Sequence, residues 1–225
     1  MNILGIDTSS KFLCIGFYGG LKIYEFRLNL GRGHEVLLLP SVERILDTLH
    51  TQPKDIDYLA VGLGPGSFTG IRIGLATVKG LALSLNKKVI GICSLDIIAY
   101  NAKDIKNYQF ICPVIDAKRD LIYMSLYRNF GNKLRRVMPY RLTSISKLIK
   151  IIPKKTIFLG DALRLYKQAL MINKKEVRFL DEDFYYPVAT NIIKLAIERI
   201  EENRFDNIMR LQPIYLYPKE CQIKS

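Results

Sequence analysis

The chain has 225 residues, 49% of them hydrophobic, and sets 34 lysines and arginines against 21 aspartates and glutamates for a formal charge of +13. That size and apolar content bury a substantial core, as one large domain or two compact lobes, which excludes a disordered or fibrous class. No apolar run reads as membrane-spanning, and Asp7 interrupts the N-terminal segment where a secretory signal needs its apolar centre, so a cytoplasmic protein is expected.

Residues 2–7, 12–18 and 21–28 read as three strands, with Gly19-Gly20 as a two-residue hairpin signal between the second and third. From His34 to about Leu49 the apolar Leu38, Val42, Ile45, Leu46 and Leu49 recur at helical spacing, although Pro40 deletes one internal hydrogen bond. Residues 58–63 read as a buried strand, 69–85 as a helix and 89–93 as another strand, an alternation that implies parallel crossovers. A strand meander followed by helix, strand, helix and strand is the element order of a ribonuclease-H-like lobe, the unit duplicated in actin-like and sugar-kinase ATPases.

After a polar linker around residues 101–107 the order begins again. Strands are expected at 110–115, 121–127 and 134–138, with a turn at Gly131-Asn132. A helix at 144–151, a strand at 156–159, a helix from Asp161 and another over 188–202 complete the second copy. The expected architecture is an α/β, actin-like (ASKHA) fold of two ribonuclease-H-like lobes, 1–102 and 103–225, with mixed sheets flanked by helices. Residues 1–100 carry 10 basic and 8 acidic side chains and the remainder 24 and 13, so the positive excess lies in the second half. Lys118-Arg119, Lys133 with Arg135-Arg136, and Lys147, Lys150 and Lys154-Lys155 could attract a polyanion, yet fold-forming segments interrupt them and they read first as solvated surface. Cys14, Cys93, Cys112 and Cys221 are too widely spaced for a disulfide framework or a zinc ribbon, and two histidines, His34 and His50, are too few for a histidine-rich metal site.

The densest signal is the run from Gly62 to Gly74, an extended apolar segment that enters a glycine-rich turn and then a helix. A P-loop needs Lys and Ser or Thr directly after its second glycine, whereas Ile71-Arg72 follow Gly70 and Lys79 lies two turns on. A nucleophile elbow needs glycines two residues either side of Ser67, where Pro65 and Thr69 stand. Gly66, Gly70 and Gly74 fall four apart, as do Ala76, Gly80 and Ser84, which makes two strips of minimal side chain that another helix can approach. The preceding helix offers Leu37, Leu38 and Leu39 together, more apolar circumference than one core-facing stripe requires. Asp7-Thr8-Ser9-Ser10 reads either as a phosphate-facing turn, with Asp7 holding a magnesium-bound water, or as a turn capped by a buried Asp. Its counterpart, residues 116–120, lacks the glycine turn of a complete nucleotide clamp.

Ile6-Asp7-Thr8-Ser9, His34-Glu35 with Leu39-Pro40, the run Gly64 to Gly74, Ile115-Asp116-Ala117-Lys118-Arg119 and the late Pro213-Ile214-Tyr215-Leu216 closely resemble the TsaB (YeaZ) family along the whole chain. The resemblance implies a non-catalytic, actin-like accessory subunit in the formation of N6-threonylcarbamoyladenosine in the tRNA anticodon loop. It implies a catalytic paralogue, TsaD, as dimer partner, a third, ATP-binding protein, TsaE, tRNA met through the complex, and a homodimer when the paralogue is absent. ATP and magnesium are then used by the complex, with no cofactor or metal assigned to this chain. By the same resemblance the partner surface lies on the two helices of the first lobe, so Leu38, Val42, Gly66, Gly70, Gly74 and Thr77 are expected at or near that contact. Asp7, Thr8, Ser9 and Asp116 are the candidate nucleotide contacts. The paralogue's metal site uses two histidines one helical turn apart, and Leu38 stands one turn after His34 here, which fits an accessory role.

Two other classes compete. A small ATP-dependent kinase or ATPase of the same fold would use Asp7, Thr8 and Asp116, but the second lobe lacks its glycine turn and the chain has little room for a substrate-binding insertion. A peptidase finds no catalytic dyad in these residues.

Overall fold

The computed structural model of the chain describes residues 1–31, 33–131, 133–171 and 176–217. Twelve strands and six helices are named in chain order. The helices are α1 (His34–Thr48), α2 (Phe68–Leu85), α3 (Ser94–Tyr100), α4 (Ile145–Ile151), α5 (Leu163–Met171) and α6 (Ala189–Glu201). The residues fall into two compact units, Met1–Ile97 with Pro187–Ile214, and Ile98–Tyr186 with Tyr215–Ser225.

In the first unit, β1 (Ile3–Asp7), β2 (Phe12–Gly19), β3 (Lys22–Asn29), β4 (Tyr58–Gly62) and β5 (Lys88–Ile92) form one sheet in the order β3-β2-β1-β4-β5. The first three strands are antiparallel neighbours, while β1, β4 and β5 run parallel and are joined through helices. Gly19 pairs with Lys22, so the hairpin turns on Gly20 and Leu21, at φ 56° and 65°, one residue later than the Gly19-Gly20 signal. Two successive left-handed residues give the turn the twist that a two-residue hairpin needs.

Alternation along the strands sends Leu4, Ile6, Leu13 and Ile15 to one face, where α1 and α2 cover them with Leu38, Val42, Leu75 and Val78. At 18 residues and a mean hydropathy of 1.3, α2 is long and apolar enough by length and composition to cross a membrane, contrary to the expectation that no segment is. In this fold one side of it, carrying Ile71, Leu75, Val78 and Ala82, lies in the core.

The opposite face of the same sheet is covered by α6. Ile192, Ile193 and Ala196 pack with Ile3, Ala60, Ile90 and Ile92. The cross-strand pair Gly5 and Gly16 makes room for the helix, since a Cβ on either would stand 3.0 Å from Ile192 Cγ2 or from the Ala189 carbonyl oxygen. This corrects the division at 102/103. The first unit is discontinuous, because the helix expected to complete the second lobe returns to the first sheet and buries its other side. The short α3, where the sequence pattern predicts no element, adds Ile97 to that cluster.

The second unit has β6 (Phe110–Lys118), β7 (Leu121–Met124), β8 (Tyr127–Asn129), β9 (Leu134–Arg136), β10 (Arg141–Ser144), β11 (Thr156–Leu159) and β12 (Val177–Phe179). Its sheet runs β10-β7-β6-β11-β12, with β8 paired to β6 and to β9. The single strand expected at 121–127 is two strands: β7 pairs with the C-terminal part of β6 and β8 with its start, with Ser125 between them bonded to the Met138 carbonyl at 2.7 Å. Among the described residues Cys14, Cys93 and Cys112 are buried and in no disulfide, and burial pushes the Cys14 and Cys112 thiols up. Cys221, and Asn132 of the expected turn, lie outside the described residues.

Candidate functional site

At the end of β1 the chain reaches Asp7, which is fully buried. One carboxylate oxygen, Oδ1, accepts the Ser9 N–H at 2.8 Å and the Ser9 hydroxyl at 2.7 Å. The other, Oδ2, accepts the Ser94 hydroxyl at 2.9 Å. Burial pushes the carboxyl above its ordinary range, and the bonds from Ser9 and Ser94, with the nearby His34, pull it partly back. His34 opens α1, is buried, and has no hydrogen-bond partner at Nε2 among the described residues.

The glycine-rich run wraps this turn. The Ser67 N–H donates to the Ser9 carbonyl at 2.7 Å, and the Thr8 hydroxyl donates to the Gly70 carbonyl at 2.7 Å. A Cβ on Gly62 would collide with the Asp7 carboxylate, on Gly66 with the Ser9 carbonyl, on Gly70 with the Thr8 carbonyl and on Gly74 with the Thr8 hydroxyl. Glycine is therefore demanded by the chain's own Asp7–Ser9 turn. Ser67 accepts the Gly70 N–H at 3.2 Å as the N-cap of α2.

Four of the residues expected at a partner contact lie inside the first unit. Leu38 and Val42 belong to its core, and Gly70 and Gly74 are buried against Thr8. The expectation for these four as contact residues is corrected: a stripe of small residues fits a close neighbour, and here that neighbour is the Asp7–Ser9 turn. The room a side chain would need at Gly66 is likewise filled by Ser9, while Thr77 is half-buried. The outward faces of the same helices carry a different set. On α1, Val36 is 67% and Leu39 54% exposed; on α2, Phe68 is 54% and Leu83 60% exposed. Between them, Ala76 and Gly80 are exposed, and nothing lies within 4 Å of where a Gly80 side chain would start. The Arg72 guanidinium stacks on Phe68 at 3.8 Å from the ring centre. Beside this face, Leu39, Pro40, Glu43 and Leu81 line a groove. The spacing of Ala76, Gly80 and Ser84 signals this second strip, but spacing alone does not say which strip faces out. Ser94, by contrast, has no signal beyond a polar residue following a strand.

In the second unit, Asp116 accepts the Lys118 N–H at 2.9 Å and pairs with the Lys118 ammonium, while its own N–H donates to Asp161 Oδ1 at 2.9 Å. Burial holds the Asp161 carboxyl above its ordinary range. Lys118, Arg119 and Asp120 all have positive φ, at 64°, 54° and 57°, where a nucleotide clamp would have glycines. Among the described residues no group of three or more His, Cys, Asp and Glu side chains is gathered as a metal site would require.

The family model for TsaD, tRNA N6-adenosine threonylcarbamoyltransferase, matches residues 29–217 of this chain. The chain is 32% identical over 174 residues to the tRNA threonylcarbamoyladenosine biosynthesis protein TsaB of Bacillus subtilis (strain 168), covering 76% of this chain and 75% of that protein. It is 30% identical over 197 residues to TsaB of Buchnera aphidicola from Schizaphis graminum, covering 85% and 90%. With TsaB of Escherichia coli K12 the identity is 27% over 224 residues, covering 96% and 94%. Among solved structures, YeaZ from Pseudomonas aeruginosa superposes with a TM-score of 0.83 at 22% identity, over 95% of this chain and 100% of that one. At that identity the likeness is one of fold, and it extends over both units.

Proposed function

The chain belongs to the TsaB family, and from that premise we propose that it is the accessory subunit that binds and supports a TsaD-type catalytic paralogue in forming N6-threonylcarbamoyladenosine on tRNA. The observation that carries the docking role is the outward face of α1 and α2. Val36 and Leu39 on α1 and Phe68 and Leu83 on α2 are exposed and Gly80 of α2 is bare, a surface that another pair of helices can approach closely and that burial in a four-helix contact would remove from water. The chain's own role is non-catalytic: the Asp7 oxygens are taken up by Ser9 and Ser94, and the Ser67 hydroxyl is spent on capping α2. A TsaE-type ATPase joins the pair, ATP and magnesium act in the complex, tRNA is met there, and the complex works in the cytoplasm.

Co-purification with the paralogue tests this. Gly80→Glu places a charged side chain on the bare strip and is expected to abolish association while the variant unfolds at the wild-type temperature or above. Undiminished association of the folded variant would sink the docking assignment.

A further inference from the structure

Between Asp120 and Asp161 the chain has nine basic side chains and no acidic one. All nine, from Arg128 to Lys155, are exposed, and among the described residues none is held in an ion pair. The β8–β9 hairpin gathers four groups on one side. Arg128 lies directly opposite Arg135, and the Phe130 N–H bonds to the Lys133 carbonyl at 2.9 Å across the turn. Period-two alternation then puts Arg128, Phe130, Lys133 and Arg135 on the same face, with buried Tyr127 on the other. Phe110 of β6 is the neighbour opposite Arg128 and continues that face.

The guanidiniums flank an aromatic ring. Arg128 lies 5.1 Å and Arg135 5.7 Å from the Phe130 ring centre, and Arg128 also lies 6.0 Å from that of Phe110. Phe130 is 55% exposed at the hairpin tip. Like charges directly opposed across a strand pair weaken it, and an exposed phenylalanine gains nothing for the fold. Solubility alone needs neither feature.

We infer that this face of β8–β9 contacts unpaired RNA, with Phe130 as the surface on which a base stacks and Arg128, Lys133 and Arg135 holding the adjacent phosphates. The inference rests on the tRNA-modification reading above and deepens it, since it gives this chain an RNA contact of its own. Charge complementarity selects a polyanion. The ring selects unpaired nucleotides, because a duplex keeps its base faces stacked on one another and would engage the cations while leaving Phe130 unused.

Fluorescence anisotropy of the full chain with a labelled RNA stem-loop, beside a labelled blunt RNA duplex, tests the site across a salt series. F130A is expected to weaken stem-loop binding by about tenfold and to leave duplex binding unchanged. F130L, which keeps an apolar hairpin tip, should be as weak as F130A, and both should keep the wild-type circular dichroism. R128Q/R135Q should lower the slope of log affinity against log salt by about 0.7 for each phosphate that is no longer neutralised. K147Q/K150Q, which removes the same charge from α4, should lower stem-loop affinity less than R128Q/R135Q does. Unchanged stem-loop binding by F130A, equal affinity for stem-loop and duplex, or equal weakening by the two double variants would overturn the inference. Co-purification with the paralogue, measured on the same proteins, separates the two readings. A wild-type chain that binds the stem-loop through Phe130 but never associates with the paralogue overturns the subunit reading and leaves this site standing.

Discussion

Asp7 is the residue at which the chemistry and the packing of the first unit meet. Its carboxyl is sealed from water, and three hydrogen bonds from Ser9 and Ser94 satisfy its oxygens. Burial raises it above the ordinary 3.8, against the opposing pull of those bonds and of His34, so just above 3.8 the folded chain keeps a proton that the unfolded chain has released. The stability contributed by the neutral carboxyl is therefore complete below 3.8 and is lost as pH rises through the folded-state value. Asp7→Asn keeps an acceptor for Ser9 and carries no charge, so urea unfolding across pH should show it without that decline. Asp161, raised by burial as well, contributes the same trend to both proteins, so their difference reports Asp7. Asp7→Ala strands the Ser9 and Ser94 donors and is expected to cost about 1–3 kcal/mol at low pH, where the wild-type carboxyl is neutral, and less as pH rises. Equal pH profiles for wild type and Asp7→Asn would show that burial does not govern this carboxyl. The sequence makes Asp7 prominent but leaves a magnesium-water ligand and a turn cap equally open. Not legible there is the approach of Gly62 and Ser94, residues far away in the chain, to the same carboxylate.

At the scale of the element, α2 presents two strips of small residues with opposite uses. Gly70 and Gly74 face inward against Thr8, while Gly80 faces open space. Gly70→Ala must push its Cβ into the Thr8 backbone carbonyl, which cannot swing aside, and is expected to destabilise the chain by about 1–3 kcal/mol. Gly80→Ala meets nothing and removes a glycine from a helix interior, so it should stabilise by about 0.5–1 kcal/mol. Chemical denaturation of the pair measures both, and a destabilised Gly80→Ala together with a neutral Gly70→Ala would reverse the assignment of the strips. Helical spacing locates both strips in the sequence, and the apolar triplet Leu37-Leu38-Leu39 marks α1 as unusually apolar. Orientation is not legible there, because it depends on the Thr8 turn packing under the start of α2. The strands of the first sheet are readable for the converse reason, that each carries its apolar pattern over five to eight residues, with β1 buried along its whole length and β2 along most of it. Strands of three or four residues with polar content, β10 (Arg141-Leu142-Thr143-Ser144) and β12 (Val177-Arg178-Phe179), repeat too briefly to show it.

For the whole molecule, chain order and spatial order part at α6. Its helical pattern is plain in residues 188–202, but no local feature says which sheet it covers, and adjacency in sequence assigns it to the wrong one. The consequence is thermodynamic. Ile192 and Ile193 are fully buried against Ile3, Ile90 and Ile92, and two such side chains represent about 3–6 kcal/mol of burial. That is a large share of the net stability of a domain, about 5–15 kcal/mol. A fragment ending at residue 102 leaves that face of the sheet in water and is expected to show no cooperative unfolding transition. Residues 1–97 joined by a short glycine-serine linker to 187–214 should restore it, because the Asn191 side chain already reaches the Ile97 carbonyl at 3.2 Å and the linker has little distance to span. Denaturant unfolding followed by circular dichroism compares the two. Cooperative unfolding of the 1–102 fragment would mean that the sheet needs only α1 and α2. Its absence in that fragment, with recovery in the spliced one, would establish that the first unit is closed by a helix that comes later in the chain, after residues 98–186 of the second.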